Sequence, residues 1–225
     1  MRYTVTAVGI AGLLAAPMLS VSADGAVARN PCQGQAPTKV GTQGADVIVG
    51  TARRDVISGL GGNDVIRGLG RGDLLCGDGG VDRILGGPGL DGIYGNAGND
   101  RLDGGTELDR IRGGEGNDLI RGRLGPDRIS GGEGADRVGG GAGNDLVGGG
   151  ASNDLLFGSL GDDRLFGAGG RDTVDGGLGA DNLLGGIEND VIDGLDGGGT
   201  DVLRGGLGAA DVCKADRGDA RFGCP

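Results

Sequence analysis

Residues 113–122 read GGEGNDLIRG. The ten residues that begin nine positions earlier read GGTELDRIRG, and those that begin nine positions later read GRLGPDRISG. Glycine, aspartate and an aliphatic return in step while the rest varies. Carried outward, the step holds without a miss. Aspartate stands at Asp46, Asp55, Asp64, Asp73, Asp82, Asp91, Asp100, Asp109, Asp118, Asp127, Asp136, Asp145, Asp154, Asp163, Asp172, Asp181 and Asp190, 17 positions nine residues apart. Each has glycine five residues before it, from Gly41 to Gly185, and Ile, Leu or Val two residues after it, from Ile48 to Ile192. Beyond Asp190 the step slips, and the next equivalents are Asp201 and Asp211. Terminal units of a repeat array are commonly irregular in this way.

The first six residues of a unit, as in GGEGND, are read as a turn, because glycine enters positive φ without a Cβ clash and lets the backbone curl. The last three, as in Leu119-Ile120-Arg121, are read as a very short strand. Alternate side chains of a strand face opposite ways, so the middle aliphatic points in and its neighbours point out. Arg83, Arg101, Arg110, Arg128, Arg137 and Arg164 all occupy such an outward position. A three-residue strand has no stability alone, so equivalent strands must stack. Two units close one coil, with a strand on each face and a turn at each edge. The expected fold is all-β, a right-handed parallel β-roll (a β-solenoid) of stacked nonapeptides, two per coil. Burying 17 aliphatics contributes roughly 1.5–3 kcal/mol each. Backbone ordering opposes this by about 1–2 kcal/mol per residue, so the aliphatic ladder alone falls short.

Units 18 residues apart stack along one edge of such a roll. One column then runs from Asp46 through Asp64 and Asp82 to Asp190, and the other from Asp55 through Asp73 and Asp91 to Asp181. Neighbours in a column stand ~4.8 Å apart, where like charges cost on the order of 1–4 kcal/mol per pair. A cation between neighbours reverses that sign. Ca²⁺ takes six to eight hard oxygen ligands in a flexible cage, and glycine turns expose carbonyls beside the carboxylates. Mg²⁺ is the weaker candidate because it demands tight octahedral geometry. The gaps in the two columns allow roughly 15 ions at most. The alternative is that the aspartates only shape turns, as Asp beside Gly often does.

The unit resembles the RTX, or haemolysin-type, calcium-binding nonapeptide, Gly-Gly-x-Gly-x-Asp-x-aliphatic-x, over roughly residues 41–203. The resemblance implies multiple Ca²⁺ held by the 17 aspartates and by turn carbonyls, in a chain that folds on binding them. The glycine two before the aspartate is kept in 12 of 17 units; Arg53, Arg71, Glu107, Ser152 and Glu188 replace it in the others. Sites in those units are expected to be weak or empty.

Composition narrows the rest. With 58 Gly but only 6 Pro, and no Gly at every third position, collagen is excluded. The aromatic side chains are Tyr3, Tyr94, Phe157, Phe166 and Phe222, too few for a ring-filled core. A net charge of −11 argues against nucleic acid as partner. His is absent, which removes the commonest general base. No Gly-x-Ser-x-Gly occurs either, so no catalysis is expected. Residues 1–23 have the layout of a secretory signal peptide, with Arg2, an apolar stretch from Val5 to Leu19 and the small-residue site Val21-Ser22-Ala23. A second candidate cut follows Ala28, and an uncleaved anchor is disfavoured by the short stretch and Pro17. Residues 24–40 are read as a lead-in or cap, 41–204 as the roll, and 205–225 as a degenerate last repeat with a C-terminal cap.

In an exported chain the four cysteines suggest disulfides. Cys32–Cys76 would tie the lead-in to the first rungs, and Cys213–Cys224 would close the end. The chain is expected to be a secreted monomer without a membrane span once the signal is removed. Its function is read as a secreted calcium-binding β-roll. The alternative is an extracellular adhesin or matrix module with a cell-surface or polysaccharide partner, based on Tyr94, Phe166, Arg110, Arg112, Arg128 and Arg164 on one face.

Overall fold

The computed structural model describes residues 32–197 and 199–224. The expected signal peptide, residues 1–23, and the first part of the lead-in lie outside the described residues. Those described form 21 strands and no helix. Odd-numbered strands make an 11-stranded sheet and even-numbered strands a 10-stranded sheet, each strand hydrogen-bonded to the one two places along the chain. All pairings are parallel, and through most of the stack the register step is 18 residues: β10 (Leu119–Leu124) sets Ile120 between Leu102 and Val138. Two strands, one from each sheet, make a coil, so the described residues form an all-β parallel solenoid of stacked coils.

The strands are longer than the unit's three aliphatic-centred residues. β2 (Val47–Val49), β3 (Val56–Ser58) and β4 (Val65–Arg67) have three residues, but from β5 (Leu74–Gly79) to β17 (Asn182–Ile187) every strand has six. Half of the expected turn is therefore strand, and only a corner such as Gly116-Asn117-Asp118 remains. The reason is that every coil bends at the same place. Arg123 enters positive φ (89°), yet Arg123 still pairs with Gly141 and Leu124 with Ala142. Coils bent alike keep their mutual hydrogen bonds across the bend.

The core is one column of aliphatics. Ile57, Ile66, Leu75 and their successors through Ile192 and Leu203 are all buried, while Ile48 and Cys213 end the column half-covered. Removing these side chains from water at roughly 1.5–3 kcal/mol each supplies the hydrophobic part of the fold. A second, smaller cluster lies on the outer face of the 11-stranded sheet, where Cys32, Val56, Leu74 and Cys76 are buried and Tyr94 packs against them. Cys32 and Cys76 are joined there by a disulfide.

At the far end the slipped spacing is absorbed in the corners. β19 (Val202–Gly206) sets Leu203 beside Leu183, a step of 20, and β20 (Val212–Ala215) sets Cys213 beside Ile192, a step of 21. The step returns to 18 where β21 (Ala220–Phe222) places Arg221 against Leu203. Extra residues bulge at the edge because strand pairing holds the backbone on either side. Cys213 is joined to Cys224 across this end.

Candidate metal centre: two buried carboxylate rails

From β2 onward, the residue that opens each strand is preceded by an aspartate, and through the stack that aspartate's side chain turns inward beneath the corner. From Asp55 to Asp211 every repeat aspartate is 5% exposed or less. One carboxylate oxygen of each is committed to the preceding coil. The Asp100 N–H donates to Asp118 Oδ1 at 2.8 Å, and the Asp118 N–H donates to Asp136 Oδ1 at 2.8 Å. The same bond repeats along both edges, so the columns expected from 18-residue spacing exist as two continuous rails. They outlast the nonapeptide: Asp181 donates to Asp201 at 2.8 Å, Asp190 to Asp211 at 3.0 Å, and Asp201 to Asp219 at 3.0 Å. Asp219 escaped the sequence reading because it lies outside the nine-residue register, although it stands 18 residues after Asp201.

The second oxygen has no partner. Among the described residues, Oδ2 is buried without a hydrogen bond in 17 aspartates, namely each rail member from Asp64 to Asp190 together with Asp201 and Asp211. An orphaned buried carboxylate oxygen is costly. Its surroundings explain the invariant glycine five residues earlier. A Cβ built on Gly113 would lie 2.0 Å from Asp118 Oδ2 and 2.6 Å from the Gly131 carbonyl oxygen. This corrects the turn reading: Gly113 has no positive φ, and is glycine because the carboxylate and a carbonyl from the next coil fill the space. Positive φ belongs instead to positions four and two before the aspartate, as at Gly114 (127°) and Gly116 (116°).

At the second of those positions Arg71, Glu107, Ser152 and Glu188 hold φ between 68° and 82°. Asp73, Asp109, Asp154 and Asp190 keep the inward geometry and the orphaned Oδ2 in those units. Arg53 has no positive φ, and its unit differs from the others. There Asp55 Oδ2 accepts from the Thr51 N–H at 2.6 Å and the Thr51 hydroxyl at 2.8 Å. Asp46 is bound in the same way by Thr42.

A further coil-to-coil contact was not foreseen from the sequence. Asn in the place just before the aspartate accepts from the next coil: Asn117 N–H donates to Asn99 Oδ1 at 2.7 Å, and Ala135 N–H to Asn117 Oδ1 at 2.8 Å. The signal is present as Asn63, Asn99, Asn117, Asn144, Asn153 and Asn189, each one residue before a repeat aspartate.

Burial dominates the electrostatics. It raises the rail carboxyls from Asp64 to Asp190, and Asp201, from an ordinary 3.8, helped in most of them by neighbouring acidic groups and opposed by the backbone N–H each accepts. Asp109 reaches about 8, Asp118 and Asp145 about 7, and Asp82 and Asp136 about 6. Asp55 is the exception: burial raises it, but hydrogen bonds from Thr51 and Thr38 and the Lys39 charge outweigh that and leave it lowered.

The donor set is a test of the expected ion. Asn in place of Asp would still accept through Oδ1, and its amide would give the crowded carbonyl a donor. A roll that used these residues only to join coils would be better served by Asn, yet all 17 repeat positions are Asp. A buried carboxylate oxygen facing a carbonyl oxygen fits a hard cation, and a carbonyl-rich, flexible oxygen set fits Ca²⁺. Among the described residues no three acidic, His or Cys side chains converge on one point. Each ion would therefore draw on few carboxylates and on backbone carbonyls.

No curated protein matches the chain significantly. The family model for the RTX calcium-binding nonapeptide repeat, itself four copies long, matches residues 40–75, 77–111, 112–147, 148–183 and 175–209. By that match, which runs through most of both rails, the chain belongs to the RTX calcium-binding nonapeptide repeat family.

Proposed function

We propose that this chain is an exported, non-catalytic calcium-binding β-roll that completes its fold when Ca²⁺ enters the two rails. The observation that carries this reading is the set of 17 buried carboxylate oxygens without a hydrogen-bond partner. Bound there, Ca²⁺ would neutralise stacked carboxylates and take up carbonyl lone pairs. The chain supplies everything else. Each aspartate is oriented by the N–H it accepts through Oδ1, each strict glycine leaves room for Oδ2, and each aliphatic two residues on keeps water out. Disulfides at both ends and the signal-like N-terminus support export. Low cytosolic Ca²⁺ would then leave the roll unfinished until it is outside.

Far-UV circular dichroism of the mature chain, titrated with Ca²⁺ from a chelated start, tests the proposal. The expected result is a cooperative gain of β signal that Mg²⁺ matches poorly. A β signal indifferent to chelator would overturn it.

A second reading, an adhesin or matrix module, draws on the outer face of the 11-stranded sheet. Arg110, Arg112, Arg128 and Arg164 are exposed there, with Arg110 and Arg128 opposite one another in register. Tyr94 does not contribute, since it packs against the Cys32 cluster. The arginines suit an anionic polysaccharide. Calcium-dependent retention on an acidic but not a neutral polysaccharide would favour this reading, and equal retention would end it.

A further inference from the structure

The rails are not uniform along their length, and their ends differ from their middles in one respect. Asp46 and Asp55 have Oδ2 closed by Thr42 and Thr51, residues that stand four before each aspartate. In the succeeding units that position has positive φ, as at Leu60 (75°), Leu69 (86°), Asp78 (71°) and Gly87 (109°). Thr42 and Thr51 do not have it. A β-branched residue resists that region. The backbone therefore stays in an ordinary conformation and turns the threonine N–H onto its own carboxylate. The shift is visible at the glycine cradle. A Cβ on Gly41 or Gly50 would be 2.9 or 3.0 Å from the carboxylate oxygen, against 2.0 Å at Gly113. At the opposite end Asp219 Oδ2 accepts from the Asp216 N–H at 2.5 Å.

Asp201 and Asp211 stand on the other side of this division. They lie beyond the regular nonapeptides, yet they are 1% and 3% exposed and their Oδ2 atoms have no partner. For Asp211 the cradle is complete: a Cβ on Gly205 would meet Asp211 Oδ2 at 2.4 Å and the Gly223 carbonyl at 2.5 Å. For Asp201 the equivalent point on Gly194 lies 2.6 Å from Oδ2.

We infer that the cation-binding rails begin at Asp64 and Asp73, run past the last regular repeat to Asp201 and Asp211, and are closed without a cation at Asp46, Asp55 and Asp219. The inference rests on the calcium-binding reading above and assigns which residues carry it. The first coil is then a fixed platform: its carboxylates are satisfied by threonine, and Cys32–Cys76 with Val56, Leu74 and Tyr94 fastens its outer face to that of the next coils.

Equilibrium dialysis of the full mature chain against labelled Ca²⁺ tests the assignment, with far-UV circular dichroism of each variant at saturating Ca²⁺. Asp46→Asn, Asp55→Asn and Asp219→Asn should leave the number of bound ions unchanged. Asp201→Asn and Asp211→Asn should each lose about one ion. A loss of that kind could come from unfolded end coils, so the double variant Thr42→Gly/Thr51→Gly forms the second arm. Freed of the hydroxyl and able to take positive φ, it should bind more ions than the wild type, a gain that unfolding cannot produce. Loss of ions on Asp46→Asn and Asp55→Asn, or no gain in the double variant, overturns the assignment. A wild type that binds no Ca²⁺ at all overturns the calcium-binding reading itself, and is seen before any variant is made.

Discussion

A methyl group added at Gly113 would sit 2.0 Å from Asp118 Oδ2 and 2.6 Å from a backbone carbonyl, whereas one added at Gly139 would meet nothing within 4 Å. Neither position has a positive φ, so the comparison isolates space from backbone conformation. Gly113→Ala should destabilise the calcium-loaded roll by about 1–3 kcal/mol, the usual cost of overpacking a filled site, and weaken ion binding at Asp118. Gly139→Ala should stay within about 0.5 kcal/mol of the wild type. Denaturant midpoints in saturating Ca²⁺ measure both, and equal losses would refute the spatial account of the strict glycine. The sequence makes this glycine conspicuous but conceals its cause, because excluded volume and positive φ both select against a Cβ. The substitutions tell them apart. The positive-φ position tolerates Arg71, Glu107, Ser152 and Glu188, at roughly 1–2 kcal/mol each, while the position filled by carboxylate and carbonyl tolerates no side chain in any of 17 units.

The strands show the same boundary of legibility one level up. The alternation around Ile120 identifies the inward residue, and the 18-residue step identifies its partners Leu102 and Val138. Strand length is not legible, because Gly122-Arg123-Leu124 reads locally as turn and becomes strand only when the next coil bends with it. The first coils are the clearest case of elements held by something other than the repeat. β3 and β5 carry Val56, Leu74 and Cys76 on their outer face under the Cys32 segment, and the disulfide closes a separation of 44 residues. A loop of that length is worth about 4 kcal/mol in the chain-entropy account. In metal-stripped protein, hydrogen exchange at β3 and β5 should therefore be slower than at β12 (Arg137–Ala142), which has no such disulfide or outer-face cluster. Reduction of Cys32–Cys76 should remove the difference. Equally fast exchange in all three strands of the oxidised protein would mean that the first coils have no separate support.

For the roll as a whole, the calcium-binding reading proposed above makes proton and cation alternative occupants of the same rail oxygens. Burial, joined in all but Asp127 and Asp136 by the charge of neighbouring rail carboxylates, raises Asp109 to about 8, Asp118, Asp145, Asp154 and Asp163 to about 7, and Asp82, Asp91, Asp127 and Asp136 to about 6, from an ordinary 3.8. A folded-state pKa above the unfolded value means that the folded chain binds more protons between the two, so stability falls with rising pH across that window. The metal-free roll should be most stable below about pH 4 and should lose that stability as pH rises through about 6 to 8. With Ca²⁺ in the rails the slope should reverse, because the ion requires ionised carboxylates and protons would displace it. Acid should thus stand in for calcium. Metal-stripped protein, expected to be largely coil at pH 8, should gain β signal in circular dichroism when brought to pH 4, while calcium-loaded protein at pH 8 should already be folded. If acidification of the metal-free chain left it coil, the orphaned oxygens would not be what keeps the roll from closing, and the proposed dependence on calcium would have to be sought in the backbone entropy of its glycines instead.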